Sequence, residues 1–237
     1  MIFRPVKKLL RAVAPLFVAF LVTGCRSSLE MGNEALRIGD FERAIAKFSE
    51  VLDNSPADRE ARYGMALAYF GKAEAAEKVG EHSTRLWMRT LAEFRILAKI
   101  DSSVARKMHS TALFYLARAK TIENPKARIL GILDESLNLD NTNSFSWNLK
   151  ALALQGEGDD ASAEKIFTFL LSKYPDFSPA YSNLGNLYWE KGNVEEAWDI
   201  WSMGALRFPQ NRHLAYWTKV AEDSLKAKAL KIGENVP

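Results

Sequence analysis

The chain has 237 residues, 48% of them hydrophobic and 26% charged, with only 13 Gly and 8 Pro; that composition fits one folded, mainly helical unit and excludes a disordered or collagen-like chain. The formal charge of +3 belongs to the first 24 residues, where Arg4, Lys7, Lys8 and Arg11 stand without an acidic side chain; the remainder carries about −1. Lys, Arg, Glu and Asp are evenly mixed there and leave no concentrated basic face, which excludes nucleic acid as a partner.

The four basic residues precede an apolar run at 12–22, too short to span a bilayer comfortably and of the length of a secretory signal, so residues 1–24 are set apart from the fold. The run ends in Val22-Thr23-Gly24-Cys25, which resembles the lipobox of bacterial lipoproteins. That resemblance implies cleavage before Cys25, lipidation of its sulfur and acylation of its amine. Several acyl chains, at about 0.8 kcal/mol per CH₂, anchor a protein where one chain does not. Arg26 stands where inner-membrane retention in enteric bacteria uses Asp, so the expected location is the outer membrane, facing the periplasm. The alternative is a buried thiol at the end of an uncleaved anchor. Cys25 is the only cysteine, which rules out an internal disulfide.

Helical periodicity then governs the chain. A first hairpin is expected over 29–53, with Gly39-Asp40 as its turn and Asp40 capping the second helix. Ser55-Pro56-Ala57-Asp58 stops that helix and starts a long one over 58–79, in which Tyr63, Leu67 and Phe70 recur at steps of four and three. Gly80 breaks it, and a helix over 84–100 follows with Trp87, Leu91, Phe94, Ile96 and Leu97 on a broad apolar face. The next pair is expected over 103–121 and 125–139, parted by Glu123-Asn124-Pro125. Further on, Tyr181, Leu184, Gly185 and Tyr188 share one helix face, Gly192-Asn193 makes a turn, and Ala197, Trp201, Gly204 and Ala205 share the face of a second helix stopped by Pro209. A last helix over 211–231 would turn Tyr216, Trp217 and Val220 inward, with 233–237 frayed. No alternating strand pattern interrupts these periods, and the fold class is all-α.

The unit at 178–211 resembles a tetratricopeptide repeat, a 34-residue helix-turn-helix, through Tyr181, Leu184, Gly185, Tyr188, Gly192, Ala197, Trp201, Ala205 and Pro209. One repeat earlier stand Trp147, Ala151, Leu154, Gly158, Ala163, Phe167, Leu171 and Pro175, with Lys150 in the place of Leu. Gly32, Ala35, Gly39-Asp40, Ala44, Phe48, Val51 and Pro56 mark another unit near the start, and Leu113, Leu116, Ala117, Ile129, Leu133, Leu137 and Asn141 a looser one. The resemblance implies a right-handed superhelical array of about five repeats over 25–211, the second expanded, closed by a capping helix over 212–232.

It also implies a concave groove lined by the first helix of each repeat. The groove positions are Tyr63, Leu67 and Phe70, which core packing would explain equally well; then Phe114 and Arg118; then Phe145, Asn148, Leu152 and Gln155; then Ser182, Asn183, Asn186 and Trp189. Arg118 is either a solvated residue or a planar donor fork for a partner's carboxylate. Asn183 and Asn186 match the polar pair with which peptide-binding relatives hold an extended backbone, or serve as structural bonds to a neighbouring helix. The cations of a carboxylate clamp are not matched, so the groove suits an apolar or extended segment.

His82, His109 and His213 are far apart, no CxxC or HxxxH occurs, and the acidic pairs Asp159-Asp160 and Glu195-Glu196 fall at helix starts, where the helix dipole favours them. No catalytic residue, metal or cofactor is expected. The resulting expectation is a lipid-anchored periplasmic scaffold that binds a protein partner, resembling the pilotins of secretins, the tight-adherence pilus lipoproteins and the adaptors of murein hydrolases. Binding of a glycan, with Trp189, Trp201, Trp217 and Tyr216 stacking on sugars, is the competing expectation.

Overall fold

Helix starts and stops follow from local chemistry. The computed structural model describes residues 27–234, in which eleven helices and no strand occur. α1 (Ser28–Arg37) opens on a capping box: Glu30 N–H donates to Ser27 Oγ at 3.2 Å and Ser27 N–H to Glu30 Oε2 at 2.9 Å. α2 (Phe41–Asn54) is capped by Asp40, α3 (Arg59–Lys78) by Asp58, and α8 (Asp160–Lys173) by Asp159, each carboxylate accepting a first-turn N–H. α4 (Thr84–Ile100), α5 (Arg106–Glu123), α6 (Leu130–Leu139), α7 (Ser144–Gly156), α9 (Ser178–Glu190), α10 (Val194–Arg207) and α11 (Arg212–Glu234) complete the order.

Consecutive helices pair as hairpins, α1 with α2 through α9 with α10, and α11 packs on the last. Three hairpins turn in three residues, 38–40, 157–159 and 191–193, each with a glycine at φ between +77 and +86°. That left-handed conformation is strained for residues with a Cβ, which explains Gly39, Gly158 and Gly192 in the turn. The third hairpin has no such glycine. Its connection takes six residues, 124–129, begins Asn124-Pro125, and ends at Ile129, which has no side chain able to cap. α6 therefore starts at Leu130 rather than at 125, and is 10 residues long where α2, α8 and α10 have 14. α5 starts at Arg106 rather than at 103, after a turn in which Ala105 holds φ +62°.

Small residues set the hairpin spacing. A Cβ on Gly32 or Gly64 would come within 2.7 or 2.3 Å of the Phe48 ring, and one on Gly185 within 2.2 Å of Trp201 Nε1. Phe48, Phe167 and Trp201 are fully buried, each in a notch of this kind, with Ala151 beside Phe167 in one core cluster. At the end of the stack α11 turns Leu214 and Ala221 inward, where both are buried, and Trp217 is partly buried, whereas Tyr216 is 62% exposed. The expectation that Tyr216 faces inward is corrected by two positions: the buried stripe runs Leu214, Trp217, Ala221 at steps of three and four. α11 also extends to Glu234, beyond the expected end.

Polar groups inside the stack are mostly paired. Ser110, Ser136 and Ser146 are fully buried and chained by hydroxyl contacts of 2.8 and 2.7 Å, with Asn143 Nδ2 donating to Ser110 Oγ at 3.0 Å, which ties α5, α6 and α7 together. Arg62 meets Glu93 at 2.9 Å between α3 and α4, with both side chains largely buried. His109 Nε2, Thr84 Oγ1 and Arg118 Nε are buried without a partner among the described residues, and the His109 ring stacks on Phe94 at 5.6 Å.

Removing the indole that fills the Gly185 notch by Trp201→Ala is expected to cost about 3–5 kcal/mol as a core truncation. At roughly 2–4 °C per kcal/mol for a chain of this size the melting midpoint should fall by roughly 6–20 °C. A melt unchanged within about a degree contradicts the packing described.

Burial lowers the His109 pKa below its ordinary value of 6.5; Glu135 opposes that shift and Arg95 adds to it. The unfolded chain then takes up this proton at higher pH than the folded one, so the stability it confers is complete above about pH 6.5 and is lost as pH falls from there through the folded pKa. His109→Gln should flatten the fall in melting midpoint between about pH 7 and pH 5, and an equally steep fall in the variant would assign the loss to other groups.

Candidate functional site

The first helices of successive hairpins lie side by side: α5 against α7, α7 against α9, and α9 against α11. Their faces turned away from the second helices form one continuous surface. Phe114 on α5 packs on Phe145 of α7 at 5.6 Å, and Phe145 on Phe177 at the start of α9 at 5.1 Å, yet Phe145 stays 56% exposed. Asn183 Nδ2 donates to Asn148 Oδ1 at 2.8 Å, and Gln155 Nε2 to Glu190 Oε2 at 2.8 Å, joining α7 to α9. Leu152 lies between those two pairs in sequence and is 38% exposed. One turn beyond Asn183, Asn186 is partly exposed and its side chain has no hydrogen-bond partner among the described residues.

The expected groove residues thus divide. Phe114, Phe145, Asn148, Leu152, Gln155, Asn183 and Asn186 share this surface. Ser182 lies partly exposed beside them, its carbonyl accepting from Trp201 Nε1 at 3.3 Å. Phe70 does not line it: the ring is 8% exposed and meets Trp87 edge-on at 4.9 Å, so it belongs to the core of the second hairpin. Tyr63 packs on the same core, and Leu67 is partly buried on α3. Trp189 reaches the surface only in part, because it packs on Trp201 at 5.8 Å and Trp217 at 5.9 Å, a three-indole cluster joining α9, α10 and α11. Cys25 lies outside the described residues.

Arg118 is not available to a partner in the way its spacing suggests. Its guanidinium is paired with Glu77 Oε2 and lies over the Tyr115 ring at 4.7 Å. Glu77 Oε1 also accepts from Ser83 Oγ at 2.9 Å and from Trp87 Nε1 at 2.8 Å. The cause is the length of α3: it has 20 residues where α7 and α9 have 13, and Glu77 sits in the added length. Tyr115, which the sequence reading did not single out, stacks flat on Trp87 at 4.7 Å and 4°. Burial, with Glu74 nearby, pushes its phenol above its ordinary value of 10.

Among the described residues no group of three or more His, Cys, Asp or Glu could hold a metal, and no helix is long and apolar enough to cross a membrane. Ser110, Ser136 and Ser146 have only each other, a backbone carbonyl and Asn143 as side-chain partners, with no base beside them.

A tetratricopeptide-repeat family model matches residues 29–81 and 148–201. The stretch between takes in α4, α5 and α6, where the hairpin is longest and the turn irregular. No curated protein sequence matches the chain. Among solved structures, a crystal structure of MamA aligns with TM-score 0.56 at 19% identity, covering 76% of this chain and 95% of that one. YrrB, described as a TPR protein with an unusual peptide-binding site, aligns with TM-score 0.56 at 18% identity over 81% and 90%. The C-terminal part of a TPR repeat-containing protein from Cytophaga hutchinsonii aligns with TM-score 0.61 at 11% identity over 84% and 72%. At such identities the likeness is one of fold: an all-helical array of hairpins like those of tetratricopeptide-repeat structures.

Glu77 satisfies three donors at once, so Glu77→Ala should cost about 2–4 kcal/mol by leaving Trp87 N–H and Arg118 without their acceptor. Arg118→Met, which retains a long apolar stem over Tyr115, should cost less. In chemical denaturation the double variant should lose less than the two single losses added, by at least about 1 kcal/mol; strict additivity would show that the pair is not coupled.

Proposed function

We propose that this chain is a lipid-anchored scaffold of a bacterial envelope that grips an extended segment of a protein partner along α5, α7 and α9, and performs no chemistry itself. The observation that carries the reading is the row of amides with unused hydrogen-bonding capacity at Asn148, Asn183 and Asn186, set beside the exposed apolar groups of Phe145 and Leu152. An extended backbone offers alternating donors and acceptors to such amides, while its side chains reach the apolar positions. YrrB shares the fold and carries a peptide-binding site.

The anchor is read from Val22-Thr23-Gly24-Cys25, and α1 opens at Ser28, three residues past the cysteine. A tether this short would hold the array against the outer membrane, facing the periplasm, and raise the local concentration of whatever it grips. Delivery or assembly of a pilus or secretin component is the role we assign. The sugar-stacking alternative loses its main support, since Trp201 is fully buried and Trp189 and Trp217 pack on it.

Asn186→Ala combined with Phe145→Ala removes one unpaired amide and one half-exposed ring, so the melting midpoint should fall by only a few degrees, about 1 kcal/mol in all. Crosslinking of the tagged full chain in the envelope should then recover roughly tenfold less of the pilus or secretin component. Cys25→Ala should abolish incorporation of labelled palmitate into the protein. Undiminished recovery with the double variant removes the groove from the proposal, and palmitate labelling unchanged in Cys25→Ala removes the lipid anchor.

A further inference from the structure

The late start of α6 leaves a hole in the stack. Where α8 and α10 begin with a full turn beside the preceding helix, the third hairpin has only the irregular segment 124–129, and a cavity of about 820 Å³ opens between that segment, the end of α5 and the C-terminal half of α7. Its apolar lining comes from Ile129, Leu149, Leu152 and Ala153. Leu152 also belongs to the groove surface, so cavity and groove are continuous.

Lys126 and Arg128 line the same cavity, both exposed and neither in an ion pair among the described residues. One carboxylate, Glu157, stands against them. The first-turn N–H groups of α6 have no side-chain cap, which adds positive potential near the same residues. The lining therefore combines aliphatic side chains with an excess of positive charge.

We infer that this cavity is a specificity pocket for a bulky apolar side chain flanked by carboxylates on the protein segment held in the groove. The inference deepens the groove reading, on which it rests, by naming the chemistry of the partner: an acidic stretch that carries one large apolar residue. The apolar side chain enters against Leu149 and Ile129, and the flanking carboxylates meet Lys126 and Arg128. An 820 Å³ space is ample for a phenylalanine or leucine side chain with part of its backbone.

Two glycines make the test clean. A Cβ on Gly131 or on Gly156 would meet nothing within 4 Å, and both residues line the cavity at helical, exposed positions. Gly131→Leu and Gly156→Leu should thus obstruct the pocket without disturbing the stack, a point checked by an unlowered melting midpoint. The full chain in detergent is titrated by fluorescence anisotropy with a labelled peptide of about twelve residues, built of Asp, Glu, Ser and Gly around one central Phe.

Replacing that Phe by Ala, or obstructing the pocket by Gly156→Leu, should each weaken binding by about tenfold or more. Amidating the carboxylates, or Lys126→Ser with Arg128→Ser, should weaken it several-fold and remove most of its salt dependence. Binding equal in the obstructed and native proteins, or equal for the Phe and Ala peptides, overturns the pocket. A fall in Asn186→Ala with Phe145→Ala but none in Gly156→Leu overturns the pocket and keeps the groove; a fall in Gly156→Leu alone keeps the pocket and removes the groove. No binding up to about millimolar peptide overturns both.

Discussion

The interaction on which the stack depends is a large side chain of a second helix seated in a notch left by a residue with little or no side chain. Phe48 fits between Gly32 and Gly64, Trp201 against Gly185, and Gly204 leaves room for Tyr181 in turn. Because protein interiors are packed to crystal density, such a notch fixes both the distance and the rotation of the helices that form it. Phe48 is shared between α1 and α3, so it sets the spacing within one hairpin and the step to the next. A single rule, repeated, builds the array, and each repeat needs its neighbour to bury its outer face.

The middle of the molecule is where the rule is relaxed. α3 and α4 are longer than the repeat requires, and their core replaces the single seated aromatic by a group of rings, Phe70, Trp87 and Tyr115, within 4.7–5.8 Å of one another. The added length of α3 carries Glu77 to Arg118, and the pair closes the space between the two first helices with charge-assisted contacts. The third hairpin errs the other way: short of a turn in α6, it relies on the Ser110–Ser136–Ser146 chain and on Ile129 and Leu133 for cohesion. An expanded unit followed by a shortened one is a source of individuality in an otherwise periodic scaffold.

What could be read from the sequence follows from this contrast. Periodicity and turn chemistry located the all-α fold and nearly every helix in the regular units, because Gly39-Asp40, Gly158-Asp159 and Gly192-Asn193 state their turns locally. Pro125 looked like a helix start for the same local reason, but without a left-handed glycine or a capping side chain the helix waits until Leu130. The Arg118–Glu77 pair joins residues 41 apart, and the burial of Phe70 depends on Trp87 and Tyr115 from two other helices. Neither leaves a mark in local spacing. Tyr216 failed through a choice of helix face that Leu214 and Ala221 decide in the folded chain. That the amide and apolar positions of α7 and α9 share one surface could be read from spacing because those helices keep the repeat; what that surface binds is the proposal.

The groove amides carry a further consequence of that regularity. Polar groups on a packed surface are satisfied by each other, by water or by a ligand. Asn148 and Asn183 use one donor and one acceptor on each other, which orients both side chains and leaves their remaining groups pointing away from the bond. Gln155 and Glu190 repeat the arrangement farther along the same two helices. Such pairs hold the surface in one conformation, so that on the proposed reading a partner backbone would displace water rather than reorder side chains. Half-satisfied amides held in register are thus more useful to a scaffold than fully satisfied ones, and the exposed Phe145 and Leu152 beside them supply the apolar area that hydrogen bonds exchanged with water do not.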